Sequence, residues 1–335
     1  HYSTSGAVTT WKVGGSYKPV PDLRIRGTLS RDIRAPSLFE LFAGKQQTTS
    51  PLTDLHTGLS RTVNVISSGN LGLKPEKADT FTVGAVFAPA MLAGFQASID
   101  YYRIKIDEAI AQPFTYIQMD DLCEASNGTS ELCAQIIRPL PFSDRSAANF
   151  PTEIRLQNLN LARVKTAGID FEASWRGDLL DGSVSVHLLG TRLLDYKQQN
   201  SPQSPVRQYA GNSDFIQGFY PLPMPKWRGN LEVGYKRGDL AASVQERYIG
   251  AFDKSAQFVW DDNRVKATFY TDLNVTYSPK TLGADTDIYL TVNNLFDQKG
   301  RLFLISPVPG LNIPTSRNVY DVIGRYYTLG VRARF

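Results

Sequence analysis

The sequence predicts an all-β protein, an antiparallel transmembrane β-barrel portion of about eleven strands. Three observations carry this expectation. Apolar and polar residues alternate through most of the chain with a period of two, which sends successive side chains to opposite faces of a strand. Tight turns and long loops follow one another in strict alternation, as in outer-membrane barrels with short turns on one side and long loops on the other. No run of about 18 uncharged apolar residues exists, so strands rather than a helix must carry any membrane crossing. A soluble sandwich would turn every 8–12 residues or so, without that asymmetry.

Composition narrows the function. The chain has 335 residues, 42% of them apolar and 20% charged, which excludes a disordered segment. A net charge of +4 is small for this length and argues against a nucleic-acid partner. His1 opens directly onto strand-like sequence, so the chain is expected to be cut from a longer precursor.

The elements follow in order. From Gly6 to Lys18, Thr9, Trp11, Val13 and Tyr17 alternate with Thr10, Lys12, Ser16 and Lys18. A two-proline turn, Pro19 to Asp22, leads to Leu23, Ile25 and Leu29 against Arg24, Arg26, Thr28 and Ser30. Arg31 to Gly44 carries the chain into a polar stretch rich in Thr, Ser and Gly, expected to be a loop as far as Asn70. Phe81, Val83, Ala85 and Phe87 form the next apolar face, and Ala88 to Gly94 turns the chain back to Phe95, Ala97, Ile99 and Tyr101. A long loop, about Asp107 to Asn158, holds both cysteines; loops this long are usually functional.

In the second half, Ala167, Ile169, Phe171, Ala173 and Trp175 face away from Thr166, Asp170, Glu172 and Ser174. A turn within Gly177 to Gly182 leads to Val184, Val186 and Leu188, then to a proline-rich loop from Gln198 to Pro225. Trp227, Leu231, Val233 and Tyr235 follow, with a turn at Arg237 to Asp239. In the return strand Glu246 falls in phase with Val244, which predicts a bulge. Phe269, Leu273, Val275 and Tyr277 are very regular, Pro279 to Ala284 turns, and Ile288, Leu290 and Val292 lead into the last loop, Gln298 to Tyr320. The final strand, Ile323 to Phe335, alternates Tyr327, Leu329, Val331, Ala333 and Phe335 with Thr328, Gly330, Arg332 and Arg334. Placing Phe335 at the periplasmic end puts every tight turn in the periplasm and every long loop outside. Trp175, Tyr235 and Tyr277 then fall near one membrane boundary and Trp227 near the other, as girdle residues do.

Several stretches resemble TonB-dependent receptors. RDIRAPSLFELFAG, Arg31 to Gly44, is similar to that family's RxPS…eLF segment, where a barrel strand enters an extracellular loop. Asn70, Leu73, Lys74, Pro75, Glu76 and Gly84 match its N-x-L-KPE…G strand start, and the runs within Leu161 to Trp175 and Val292 to Asp297 are also family-like. Gly330 and the terminal Phe335 resemble the assembly signal of bacterial outer-membrane barrels, although Ala333 stands where a larger apolar residue is usual.

The resemblance implies a barrel of 22 strands with a plugged lumen. The chain would be its C-terminal part, residues 1–335, without the plug domain and the N-terminal half of the barrel. It implies a bacterial outer-membrane receptor for energy-coupled uptake of a scarce nutrient: siderophore-iron, cobalamin, haem or an oligosaccharide. The implied partners are outer-membrane lipid, the TonB inner-membrane complex through the missing plug, the barrel-assembly machinery, and a small-molecule or oligosaccharide ligand. No cofactor is called for. A passive porin-like channel is the alternative reading, and an outer-membrane enzyme a third.

The candidate site residues are few. Cys123 and Cys133 lie ten apart in a loop that matures in an oxidising compartment, which favours a disulfide over two free thiols or a metal pair. Of His1, His56 and His187, His187 sits on the polar phase of its strand beside Ser185, and a lumen-facing polar residue is the reading preferred over a hydrolase histidine. Asp261, Asp262 and Asn263 lack the glycine and later Glu of a calcium loop. Arg24, Arg26 and Arg34 share one phase with Asp32; a mid-membrane Arg on lipid would cost about 2–4 kcal/mol, so they must face the lumen. Arg34, near the extracellular mouth, is the candidate contact for an anionic ligand. The phases send Phe81, Val83, Ile169, Phe171, Leu273, Val275, Ile288, Leu290 and Val331 to lipid, and Asp170, Glu172, Glu232, Asp272, Asp287 and Arg332 to the lumen.

Overall fold

Alternation becomes structure where each strand finds a neighbour of matching phase. The computed structural model describes residues 6, 8–112, 114–202, 204–214, 223–257, 259–279, 285–302 and 315–334. Eleven long strands lie side by side: β1 (Trp11–Val20), β2 (Leu23–Arg34), β3 (Glu76–Phe87), β4 (Phe95–Ala111), β5 (Leu159–Leu179), β6 (Gly182–Gln199), β7 (Trp227–Arg237), β8 (Leu240–Ile249), β9 (Thr268–Tyr277), β10 (Asp285–Asn293) and β11 (Tyr326–Arg334). Their order in the sheet is their order in the chain, and each neighbouring pair is antiparallel. Arg207–Gln208 adds a two-residue strand beside β6. Among the described residues no pairing joins β1 to β11, and the sheet is open.

The registers sort the side chains into two faces. Ile25, Ala85, Ile99 and Phe171 pair in one row across β2 to β5. The adjacent row, pointing the other way, holds Arg26, Gly84, Asp100, Asp170 and Thr191. His187, Glu232, Gln245 and Asp272 continue the polar face through β6 to β9, and Asp287 meets Arg332 on it. Leu273 pairs Val292, Val275 pairs Leu290, and Ile288 pairs Val331 on the apolar face. The polar face is laced by side-chain bonds: Arg26 to Asp100, Thr191 to Asp170 at 2.7 Å, and Thr291 to Asn274 at 2.7 Å.

Among the described residues, the turns on one side of the sheet are tight. Between β5 and β6 only Leu180 and Asp181 remain, both at positive φ (50° and 60°), the hairpin turn whose twist matches its strands. Residues 280–284, where a turn was expected, and Phe335 lie outside the described residues.

Two expectations need correction. The β7–β8 and β8–β9 registers run unbroken past Glu246, so there is no bulge. Glu246 stays in the apolar phase, opposite Leu231, and its carboxylate accepts from the Thr271 hydroxyl at 2.5 Å. A hydrogen bond to the next strand, not a shift of register, accommodates the charge. The stretch to Asn70 is not irregular either. Gln46–Asp54 and Leu59–Ser67 form a hairpin, because Leu52, Val63, Val65 and Ile66 find a core that the surrounding Thr and Ser hid.

Candidate functional site

Two of the long loops fold into one body above the sheet. The Gln46–Asp54 and Leu59–Ser67 hairpin comes from the loop between β2 and β3; Ile136–Ile137 and Glu153–Leu156 come from the loop between β4 and β5. Together they make a four-stranded sheet, joined by a parallel pairing of Leu59–Ser67 with Glu153–Leu156. Its core holds Leu52, Val63, Phe114, Met119, Ile136 and Ile154, all buried. Helix α2 (Tyr116–Ala125) packs on it, started by a capping box in which Thr115 and Gln118 bond each other's backbone N–H.

Cys123, at the end of α2, is bonded to Cys133 in the following 3₁₀ turn, which fixes that turn against the core. Behind it lies a buried charged cluster. Arg138 donates to Asp54 at 2.7 Å and to Asp120 at 2.9 Å, with all three side chains almost wholly enclosed. Burial works to raise the Asp54 carboxyl, but bonds from Arg138 and Thr57 win and hold it at about 2. Asp120 goes the other way. Burial, then repulsion from Asp54, push it up to about 7 against the pull of Arg138. One guanidinium therefore keeps one carboxylate ionised and leaves its neighbour to titrate at about 7. His56 is buried beside this cluster, stacked on Phe142, with Nδ1 2.8 Å from Glu124 and Nε2 3.0 Å from the Asp144 carbonyl. Burial opposes ionisation of Glu124, but bonds from His56 and Arg145 hold its carboxyl below the ordinary value.

The family-like motifs meet where this body joins the barrel strands. Arg34 ends β2 opposite Glu76, which starts β3, and grips it through Nε at 2.7 Å and a second nitrogen at 2.8 Å. The same guanidinium holds Glu40 at 3.0 Å. Glu40 in turn caps helix α1 (Leu38–Phe42) by accepting from the Ser37 N–H at 2.7 Å. Burial opposes it, but Arg34 and Ser37 keep the Glu40 carboxyl below its usual range. Leu41 and Leu73 then pack with Ile110 of β4, and Glu76 also accepts from the Ile110 N–H at 2.6 Å. Asn70 donates to the Asn158 carbonyl at 2.9 Å. Arg34, named from the sequence as a ligand contact, thus stands with all three of its nitrogens committed to carboxylates, as the pin of a strand-to-loop junction.

Other sequence candidates fall as follows. His187 Nε2 lies 2.8 Å from Glu172 on the polar face. Asn263 exchanges bonds with the Ser255 backbone, and Asp262 is 3.4 Å from Lys254. Among the described residues no group of three His, Cys, Asp or Glu is placed to hold a metal. Gly330 pairs with Tyr289, and a Cβ there would lie 2.3 Å from that ring's hydroxyl oxygen. The glycine is required so that Tyr289 can lie across β11. Asp54, Asp120 and Arg138 were not singled out in the sequence, and His56 was weighed there only as one of three histidines. These residues and their partners lie between positions 54 and 149 in two loops, and no local spacing reveals the pairing.

An open antiparallel sheet with one apolar and one polar face, tight turns on one side and a folded loop body on the other, defines a transmembrane β-barrel portion. A family model described as "TonB dependent receptor-like, beta-barrel" matches residues 1–295, and the chain belongs to that family. Solved structures agree on the fold. A mutant of the ferric enterobactin receptor PfeA from Pseudomonas aeruginosa is 16% identical and covers 99% of this chain and 41% of its own, with a TM-score of 0.66. The siderophore receptor PirA from Acinetobacter baumannii is 14% identical over 99% and 42%, at 0.58. The FrpB iron transporter from Neisseria meningitidis is 15% identical over 96% and 37%, at 0.52. The chain thus spans about two fifths of the length of these structures. A comparison with curated protein sequences finds no match.

Proposed function

We propose that this chain forms the C-terminal eleven strands of an outer-membrane receptor for energy-coupled nutrient uptake, with ferric siderophores first among its ligand classes. The observation that carries the reading is the loop body. Two loops commit a shared core, a disulfide and a buried Arg–Asp cluster to one structure at the long-loop end of a family-matched sheet. Similarity to a ferric enterobactin receptor and to a siderophore receptor supports ranking iron chelates ahead of cobalamin, haem and oligosaccharide.

In this reading the apolar face meets lipid and the polar face lines the lumen. The plug, and through it the TonB complex, come from parts of the receptor outside this chain, and the barrel-assembly machinery inserts the whole. An odd number of antiparallel strands cannot close on itself antiparallel, which supports completion by further strands.

The test uses the complete receptor. Cells that lack other iron-chelate receptors should take up ferric catecholate only when both the receptor and TonB are present. Uptake that is unchanged without TonB would favour the porin-like reading instead.

A further inference from the structure

We propose that the apolar face carries, at its extracellular edge, a binding site for a phosphorylated lipid headgroup of the outer leaflet. The inference rests on the membrane reading above and goes beyond the ligand it assigns. Three lysines on successive strands stand directly opposite one another: Lys105 of β4 pairs Lys165 of β5, which pairs Lys197 of β6. Like charges opposed across strands are destabilising unless something neutralises them. Arg31 and Asp79 continue the same row across β2 and β3, and Lys77 and Asp107 form the next row out. All are in phase with Ile25, Phe81, Tyr101 and Ile169, so they point away from the lumen.

Their height fits a headgroup. A tilted strand crosses the hydrocarbon in about 9–11 residues. Counting from the tight turns, Leu23 reaches Arg31, Phe95 reaches Arg103, and Gly182 reaches Arg192 within that length. Arg192 packs on Trp227 at 5.1 Å, a girdle residue at the extracellular boundary. Lys77, Lys105, Lys165 and Lys197 therefore sit at or just above the end of the apolar band, beside lipid phosphates.

The local carboxylates are too few. Asp79 takes Arg31 at 2.7 Å; Asp107 is shared by Lys105 at 2.6 Å and Arg163 at 3.6 Å; Asp195 is shared by Lys197 at 3.0 Å and Lys165 at 3.9 Å. Even with Glu108, which lines the same recess, six cations in this collar face four carboxylates, and Arg103 and Arg192 lie just below on the same face. The recess between Arg31, Lys77, Lys105 and Arg163 has a volume of about 620 Å³, room for a phosphorylated sugar. Lys165 and Lys197 lie outside that lining and extend the basic row beside it, so a sugar in the recess would bring its phosphate onto lysines that stand opposed to one another.

The experiment compares the complete receptor with its K105Q/K165Q/K197Q variant in phosphatidylcholine nanodiscs containing diphosphoryl lipid A, reading retained lipid by native mass spectrometry. The variant should retain lipid A on the order of 10- to 100-fold more weakly, since each surface lysine adds a separate attraction to anionic lipid. K236Q, on the polar face, and K105R/K165R/K197R should retain it like wild type. Dephosphorylated lipid A should bind the wild type as weakly as the variant binds the phosphorylated form. If the triple variant does not fold, K165Q alone, between the other two lysines, should still show a several-fold loss. Equal retention by wild type and a folded variant overturns the site, as does full displacement of lipid by inorganic phosphate, which would mark a free-anion site. In either case a receptor that inserts and takes up ligand leaves the uptake reading intact. A protein that does not insert into bilayers overturns both.

Discussion

Arg26 and Asp100 form a bidentate ion pair, 2.8 Å and 2.5 Å, although a whole strand lies between them. Arg26 is on β2 and Asp100 on β4; the residue of β3 opposite both is Gly84. A Cβ at that position would stand 1.9 Å from an Asp100 carboxylate oxygen and 2.7 Å from the Ile99 carbonyl. Gly84 is one of the residues that carried the family resemblance, and the reason for it is now physical: it is the gap through which the pair meets. Gly84→Val should destabilise the barrel by about 1–3 kcal/mol, as overpacking does. The loss of the heat-modifiable form of the complete receptor on unboiled gels measures it. Asp100→Ala in the wild-type background should cost much less, since exposed pairs contribute about 0–1 kcal/mol.

The loop body gives a second test. Cys123→Ser with Cys133→Ser should leave the barrel strands unaffected but loosen the α2 segment by roughly 2–3 kcal/mol, the chain-entropy value for a closed loop of this size. Limited proteolysis should then cut within residues 112–158, where the oxidised protein resists. Mass spectrometry of unreduced wild-type protein should find the two cysteines linked.

How much of this was legible depended on whether the cause was local. Strand alternation is local, so the two faces and the eleven strands followed from the sequence, with boundaries shifted by a few residues, as at Tyr326. Glu246 misled because phase alone cannot show that Thr271 on the next strand supplies a hydrogen bond. The hairpin from Gln46 was hidden because its apolar partners, Phe150 and Ile154, come from another loop. The two carboxylates of Arg34, Glu40 and Glu76, were not legible, because a helix cap and a strand pairing bring them to it.

That junction predicts its own mutant. Arg34→Ala leaves the largely buried Glu76 carboxylate with only the Ile110 N–H, and should cost about 1–3 kcal/mol through the lost charge-assisted bonds. Arg34→Lys should recover part, because an ammonium cannot bond Glu76 bidentately and still reach Glu40. Hydrogen exchange at α1 and at the start of β3 reads both.

The Arg138 cluster makes the loop body sensitive to pH. Asp120 ionises near 3.8 in the unfolded chain and at about 7 when folded. Its raised value adds stability that is full below pH 3.8 and lost as pH rises through about 7. Asp54 has the opposite sign: its depressed value adds stability above pH 3.8 that is lost as pH falls through about 2. The loop body should therefore resist protease better at pH 5 than at pH 8. Asp120→Asn keeps an acceptor for Arg138 without the charge, so it should abolish that difference by raising resistance at pH 8. Asp54→Asn should weaken the body at both values. A wild-type body equally resistant at pH 5 and 8 would mean that Asp120 is ionised in the fold.

The last prediction concerns which face meets lipid. An open sheet exposes both faces, so exposure does not decide between them; energetics does. The face with Ile169, Phe171, Leu273 and Val275 has long rows free of charge, whereas the other holds Arg26, Asp100, Asp170, Glu172, Glu232 and Asp272. Turning the charged face to hydrocarbon would cost up to about 2–4 kcal/mol for each basic residue at mid-depth. On the apolar side Arg31, Arg103 and Arg192 stand at the extracellular edge of the band; Glu246 lies deeper, and its bond to Thr271 removes part of the penalty. Spin labels at Ile169 and Leu273 of the complete receptor in bilayers should therefore be relaxed by lipid-soluble oxygen and shielded from a water-soluble nickel chelate. Labels at Glu172 and Glu232 should show the reverse. A label at Lys165, in phase with Ile169 but beyond the apolar band, should be reached by the nickel chelate, since its side lies above the hydrocarbon. If Ile169 and Leu273 report water while Glu172 reports lipid, the barrel is inside out relative to this account and the membrane reading falls with it.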